Sequence, residues 1–180
     1  MTSPILVAYT TLSGSTGEVA EAIGVRLNES GLKTDLARMK DLKSIGDRVA
    51  VILGAPLYMG GLPAETRRFL LRNQNALASL KTWFFVLGPI EGKPEEYISA
   101  CEQAEKWLEK FTWLQPIDMR VFGGKFDVRK MPFPYSLARY LPAFPAKNLP
   151  AKDIRDWVAI RAWADEIVAQ LALVPSTHDH

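Results

Sequence analysis

The sequence predicts an α/β fold, a parallel β-sheet with helices packed on its faces. Three observations carry that expectation. Short apolar runs at residues 5–8, 49–53 and 82–87 are rich in β-branched or aromatic residues and have the length of buried strands. Segments with helical spacing of apolar residues separate them, so strand and helix alternate five times with room for right-handed crossovers. Glycine follows the third, fourth and fifth strands directly, at Gly54, Gly88 and Gly123.

In order along the chain, residues 5–8 (ILVA) form the first strand. Val19, Ile23 and Leu27 recur at helical spacing, so a helix begins at about 14–16. Gly31 ends it, and 33–39 alternates as a second strand. Residues 41–47 read as a short turn or helical connector, and 49–53 (VAVIL) as a central parallel strand closed by Gly54. Phe69, Leu70 and Asn73 toward Leu77 restore helical spacing, and 82–87 (TWFFVL) is a fourth strand. The next helix, 93–111, carries Ile98, Cys101, Ala104, Trp107, Leu108 and Phe111 on its apolar positions, and 117–122 is the fifth strand. A proline- and aromatic-rich insertion covers 125–150, and Asp153 opens a final amphipathic helix through Leu173. The expected organisation is one domain over 1–173 with a polar tail at 174–180.

Composition narrows the function classes. Of the 180 residues 48% are hydrophobic and 23% charged, the balance of an ordinary globular protein, and no apolar run approaches the roughly 20 residues that span a bilayer. Met1-Thr2-Ser3-Pro4 has no basic segment or cleavage site, so no signal peptide is expected. The single cysteine, Cys101, excludes an internal disulfide, fits a reducing cytoplasm and reads as an inert helical thiol. His178 and His180 lie in the tail and no Cys/His spacing points to a metal, so none is expected.

The first β–α junction carries the functional signal. Thr11, Leu12, Ser13, Gly14, Ser15 and Thr16 join an apolar strand to a helix N-terminus, where hydroxyls, free amides and the helix dipole converge on one point suited to a phosphate. The loop has neither G-x-x-x-x-G-K-[ST] nor G-x-G-x-x-G, so a nucleoside triphosphate and a dinucleotide are both poor fits. Four hydroxyl donors without a cation suit a terminal phosphomonoester held by neutral hydrogen bonds. The same residues also read as a helix cap, with Ser15 and Glu18 three residues on writing a capping box.

Two further loops leave the same edge of a parallel sheet, where ligands of such folds bind. Leu57, Tyr58, Met59, Gly60 and Gly61 follow the third strand: Tyr58 offers a wall for a flat apolar ring, and the glycines allow close backbone approach. A peptide that can rotate there could present a carbonyl to a donor on the polar edge of such a ring. Gly88, Pro89, Ile90, Glu91 and Gly92 follow the fourth strand, with Ile90 as a second wall and backbone groups at the ring's pyrimidine edge. Read singly, these are an exposed aromatic beside a turn and a capped helix entry.

Residues 11–16 resemble the T-x-[ST]-G-x-T loop with which flavodoxins hold the phosphate of FMN. That resemblance implies a flavodoxin-like three-layer sandwich with strand order 2-1-3-4-5 and FMN at the switch point between strands one and three. Several segments are also similar to the menaquinone-dependent protoporphyrinogen dehydrogenases, a flavodoxin-domain family. They are the loop at 10–16, Ile52-Leu53-Gly54-Ala55 with Tyr58-Met59-Gly60 and Pro63, Arg68-Phe69-Leu70, Phe122-Gly123-Gly124-Lys125-Phe126, and Asp156-Trp157 opening the last helix. The implied activity is an FMN-dependent oxidoreductase passing electrons from a porphyrinogen-like donor to a quinone or another redox partner. A flavodoxin-like carrier without its own substrate, and a domain that has lost FMN, are the alternatives.

The insertion interleaves Phe126, Phe133, Tyr135, Tyr140 and Phe144 with Lys125, Arg129, Lys130, Arg139 and Lys147, and holds one acid, Asp127. It suits an anionic membrane surface at the inner face of the cell membrane, or an acidic flat ligand such as a porphyrin or quinone. In the second case Lys125, Arg129 or Lys130 would meet a carboxylate. Packing against the protein itself and a second subunit are the other readings, and nucleic acid is not expected. Net charge of +2 and the absence of acids from 56–64 set the chain apart from strongly acidic flavodoxins, so its flavin is expected to be a milder reductant.

Overall fold

A computed structural model describes residues 4–58, 60–126 and 151–172. Five strands form one parallel sheet: β1 (Ile5–Tyr9), β2 (Thr34–Arg38), β3 (Ala50–Pro56), β4 (Lys81–Leu87) and β5 (Asp118–Phe122). Their spatial order is β2-β1-β3-β4-β5, as expected from the resemblance, with all four neighbouring pairs parallel. The helices are α1 (Ser15–Glu29), α2 (Ala64–Arg72), α3 (Gln74–Ser79), α4 (Pro94–Leu108) and α5 (Trp157–Ala172).

Alternation along the strands divides the core in two. Ile5, Val7, Ile52, Trp83 and Phe85 meet α1 and α5 on one face, while Leu6, Ala8, Val51, Leu53 and Phe84 meet α2, α3 and α4 on the other. Every one of these strand residues is buried, so the central strands read as unbroken apolar runs. Phe85, Phe122 and Trp163 form an aromatic cluster with centroids 5.7–6.2 Å apart, and it fastens α5 to β4 and β5. The Trp163 indole donates to Asp118 at 2.6 Å. Burial alone would raise the Asp118 pKa, but hydrogen bonds from Arg120 and Trp163 and the Arg120 charge hold it below the usual range.

Four expected boundaries move, each for a visible reason. β3 does not stop at Gly54 but pairs through Pro56 with Leu87. Gly54 lies opposite Phe85, whose ring fills the space a side chain would take: an added Cβ would sit 2.2 Å from it. The expected helix toward Leu77 is broken into α2 and α3 at Asn73, whose side chain donates to the Phe69 carbonyl at 2.9 Å. The connector is a 3-10 turn at Met39–Asp41, earlier than 41–47. Asp153 does not open α5. It belongs to β7 (Lys152–Asp153), a short antiparallel partner of β6 (Lys125–Phe126), while Asp156 accepts the amides of Val158 and Ala159 and caps the helix. The segment 127–150 and the tail lie outside the described residues.

Candidate functional site

The loops leaving β1, β3 and β4 end at the same edge of the sheet. In the first, Thr11 Oγ1 accepts the Gly14 amide at 2.8 Å and closes the loop. Gly14 stands at φ +99°, a left-handed conformation that excludes most side chains. The capping box expected from Ser15 and Glu18 does not form: Gly14 is the N-cap, and α1 starts one residue earlier than that pairing requires. The first bond of this helix runs from Glu18 N to the Gly14 carbonyl at 3.1 Å, so the amides of Ser15, Thr16 and Gly17 precede the helical ladder.

Thr16 decides whether a phosphate fits. It is fully buried, yet its Oγ1 has no hydrogen-bond partner among the described residues. A buried hydroxyl left unpaired costs about 1–3 kcal/mol. Thr16 stands in the first turn of α1 beside the amides that precede the helical ladder, so an anion seated there would supply the missing acceptor once the hydroxyl turns toward it, and on that ground the residues fit a phosphate monoester. Ser15 is also buried, whereas Ser13 stands exposed at the loop tip.

The loop itself holds no cation, but one lies directly beside it. The Arg155 side chain, only 3% exposed, bonds Glu18 at 2.6 Å and Asp153 at 2.5 and 2.8 Å, and its Nη1 lies 3.5 Å from the Ser15 carbonyl. The indole of Trp157 covers its guanidinium at 4.6 Å. These bonds, foremost that to Asp153, raise the Arg155 pKa, and the guanidinium holds Asp153 below its ordinary value. Arg155 thus ties the return from the insertion to the first turn of α1. It also explains the lost capping box, because it takes up the Glu18 carboxylate.

After β3, Tyr58 and Gly61 exchange backbone hydrogen bonds of 2.9 and 3.0 Å around Gly60, whose φ is +76°. Leu57 N donates to the Leu87 carbonyl, so the start of the turn is an extension of the sheet. Met59, a sequence candidate, lies outside the described residues. After β4, the amides of Glu91 and Gly92 both donate to Glu96 Oε2 at 2.9 Å, and Gly88 N donates to Phe122. Those backbone donors, expected to face a ring edge, are therefore engaged within the chain. Glu91 pairs with Lys93, which lowers its pKa, and its carbonyl accepts Lys152 Nζ at 2.7 Å. The 88–92 loop is tied in turn to the β5 exit, where Gly124 N donates to the Pro89 carbonyl at 2.7 Å. Gly123 must be glycine, since an added Cβ would lie 2.3 Å from the Ile154 carbonyl.

Two clefts flank the Tyr58–Gly61 turn. One, of about 390 Å³, lies between Leu57, Gly60, Gly88, Pro89 and α4, with Glu95 and Glu96 on its wall. The other, of about 430 Å³, opens toward the phosphate loop between Thr10, Leu12, Tyr58, Glu65, Arg67 and Trp107. Thr10 Oγ1 lies 3.3 Å from Glu65, which turns this hydroxyl toward α2 rather than into the loop. Arg67 and Lys110 both stack on the Trp107 ring, 5.3 and 3.8 Å from its centroid. Lys125 reaches Asp153 at 3.7 Å, and Arg129 and Lys130 lie outside the described residues. Burial pushes the Cys101 thiol pKa up, with Glu105 adding to the shift, which suits an inert group. No helix among the described residues is long and apolar enough to cross a membrane.

Sequence reasoning missed Arg155, Glu65 and the role of Trp107. Arg155 is 140 residues from Ser15 and sits in no motif, while Trp107 reads as one more apolar position of a helix.

Comparison with known proteins agrees with this geometry. No curated protein matches the chain. Among solved structures it is similar to flavodoxin 1 of Bacillus cereus (TM-score 0.57, 16% identity, 93% of this chain and 98% of that one). It is similar also to the flavodoxin of Streptococcus pneumoniae TIGR4 (TM-score 0.54, 15% identity, 93% and 99%). A third is the rubredoxin oxygen:oxidoreductase of Desulfovibrio gigas (TM-score 0.55, 14% identity), where the match covers 94% of this chain and 37% of that one. At these identities the likeness is one of fold. The profile of the flavodoxin domain matches residues 6–135, which takes in the phosphate-type loop and both loops around the clefts. By that match the chain belongs to the flavodoxin domain family, and it is an electron-transfer flavoprotein whose cofactor is FMN.

Proposed function

We propose that this chain is an FMN-dependent oxidoreductase that takes electrons from an organic donor and delivers them to a quinone or another redox partner. The buried Thr16 hydroxyl carries the flavin assignment, because it is a polar group in the first β–α junction that the described residues leave unsatisfied. Ser13, Ser15 and Thr16, with the first-turn amides of α1, hold the phosphate. Tyr58 supplies an aromatic wall, and Leu57, Gly60, Gly88 and Pro89 bound the neighbouring cleft. Bound FMN supplies one- or two-electron transfer, and the protein sets its position and electrostatics.

Partner chemistry follows from charge. Arg67 lines the second cleft, and Lys110 stacks on the Trp107 ring that bounds it. Cations held on an indole at the mouth of a redox site favour an acidic partner or a donor bearing carboxylates. A porphyrinogen-type donor fits that description, as the resemblance to the menaquinone-dependent dehydrogenases implies. The basic, aromatic insertion extends the same reading to an anionic membrane where a quinone dissolves.

A carrier with no substrate of its own is the second reading, favoured by likeness to flavodoxins along nearly their whole length. One experiment separates the two. Purified protein loaded with FMN is given protoporphyrinogen and a menaquinone analogue, and porphyrin appearance is followed against a flavin-free control. Flavin-dependent porphyrin formation supports the enzyme. Rapid reduction by a flavodoxin reductase without porphyrinogen turnover supports the carrier.

A further inference from the structure

We propose that Trp107 is a positioning residue for the flavin-side turn: its indole N–H holds the Gly60 carbonyl against α4 and withholds that acceptor from the cofactor. The inference rests on FMN being bound at this turn. Trp107 Nε1 donates to the Gly60 carbonyl at 3.0 Å. The carbonyls of Tyr58 and Gly61 are engaged with each other's amides, so the carbonyls of Tyr58, Gly60 and Gly61 each already accept one hydrogen bond.

The turn lies flush on the helix behind it. A Cβ on Gly61 would stand 3.2 Å from Trp107 Cζ2, and one on Gly60 3.3 Å from Gln103 Oε1. The two glycines therefore answer to the closeness of α4 as well as to the positive φ of Gly60. Trp107 is braced in its turn by Arg67 from α2 and Lys110 just beyond α4, both stacked on its ring. An indole braced by two cations makes a stiff clamp on a peptide that glycine would otherwise leave free to rotate.

The consequence concerns redox balance. Flavin N5 is a hydrogen-bond acceptor when oxidised and carries a proton when reduced, so a nearby carbonyl stabilises the reduced form alone. A clamp that holds the Gly60 carbonyl against α4 weakens that preference and keeps the potential lower than an unclamped turn would set it. Breaking one hydrogen bond worth about 1 kcal/mol changes the balance roughly fivefold. For a one-electron step at 59 mV per tenfold, fivefold is about 40 mV.

The test uses the FMN-loaded full chain as wild type, Trp107→Phe and Trp107→His. Phenylalanine keeps an aromatic ring without the donor, while histidine restores an N–H at the ring position of the indole nitrogen. Potentials are read by spectroelectrochemical titration, with melting temperature and affinity for oxidised FMN as controls. Trp107→Phe is expected to raise the first-electron potential by about 40 mV, with FMN affinity within twofold, and Trp107→His to return it toward wild type. An unchanged potential in Trp107→Phe, or the same shift in both variants, overturns the proposal. In the flavin-free chain the Trp107 indole proton, bonded to the Gly60 carbonyl, is expected to exchange more slowly than that of the more exposed Trp157, and equal exchange overturns the clamp independently of flavin. Failure of the wild type to take up FMN strikes instead at the flavin assignment.

Discussion

Replacing Thr16 by valine separates the cost of an unpaired hydroxyl from its use. The substitution keeps the branched shape and exchanges for a methyl the Oγ1 hydroxyl, which is buried and has no partner among the described residues. In the flavin-free protein there is no hydrogen bond to lose, and an unsatisfied buried polar group costs about 1–3 kcal/mol. Thr16→Val is therefore expected to leave the apo protein as stable as wild type or to stabilise it by up to that amount. With FMN bound the sign reverses. A hydrogen bond to a charged phosphate is worth about 1.5–3 kcal/mol, which corresponds to a loss of affinity of roughly 10- to 150-fold. Apo melting temperature and FMN titration by fluorescence quenching read the two halves separately. Riboflavin, which lacks the phosphate, is expected to bind both proteins alike. A variant whose apo form melts lower while its FMN affinity is unchanged would show that Thr16 serves the fold and not the ligand.

Further predictions follow from the same contacts. Gly54→Ala places a Cβ about 2.2 Å from the Phe85 ring between two central strands, and is expected to cost at least 1–3 kcal/mol of stability (about the range for overpacked cores), read by urea unfolding; an unchanged midpoint would refute the packing. Arg155→Met takes the guanidinium from Glu18 and leaves Asp153 only the 3.7 Å contact with Lys125, so the apo protein is expected to be less stable at pH 7 and FMN binding weaker. Because Arg155 lowers the Asp153 pKa in the folded state, the pair stabilises above the unfolded value of about 3.9 and is lost as pH falls through the lower folded value. Melting temperature against pH is thus expected to fall less steeply below about pH 4 in Arg155→Met than in wild type, and parallel curves would contradict the assignment. The flavin's two-electron-reduced couple is expected to lie above that of strongly acidic flavodoxins, since the chain carries a net charge of +2. A redox titration giving a couple as low as theirs would show that the wall of Glu95 and Glu96, or the Trp107 clamp, outweighs net charge.

What the sequence made legible were features written locally. Apolar runs, helical spacing and glycine after the strands gave five parallel strands, and the hydroxyl-rich loop pointed to a phosphate. Errors arose where a distant residue overrode a local pattern. Gly54 looks like a strand terminator until Phe85, paired with it across the sheet, is seen to need the space. Ser15 and Glu18 have the spacing of a capping box, but Arg155 takes the carboxylate from the far end of the chain. The 88–92 loop offers free backbone donors on paper, whereas Glu96 from the next helix occupies two of them. Asp153 looks like a helix opener because it precedes an amphipathic run, yet Asp156 makes the capping bonds and Asp153 serves Arg155. Side-chain pairings of this kind, set by tertiary contact, have no signature in a single sequence.

FMN titration of the flavin-stripped chain tests the central claim most directly. Saturation at one FMN per chain, with a yellow flavin spectrum and a rise in melting temperature, is the predicted result. A protein that stays colourless and melts at the same temperature with FMN as without it would contradict the account.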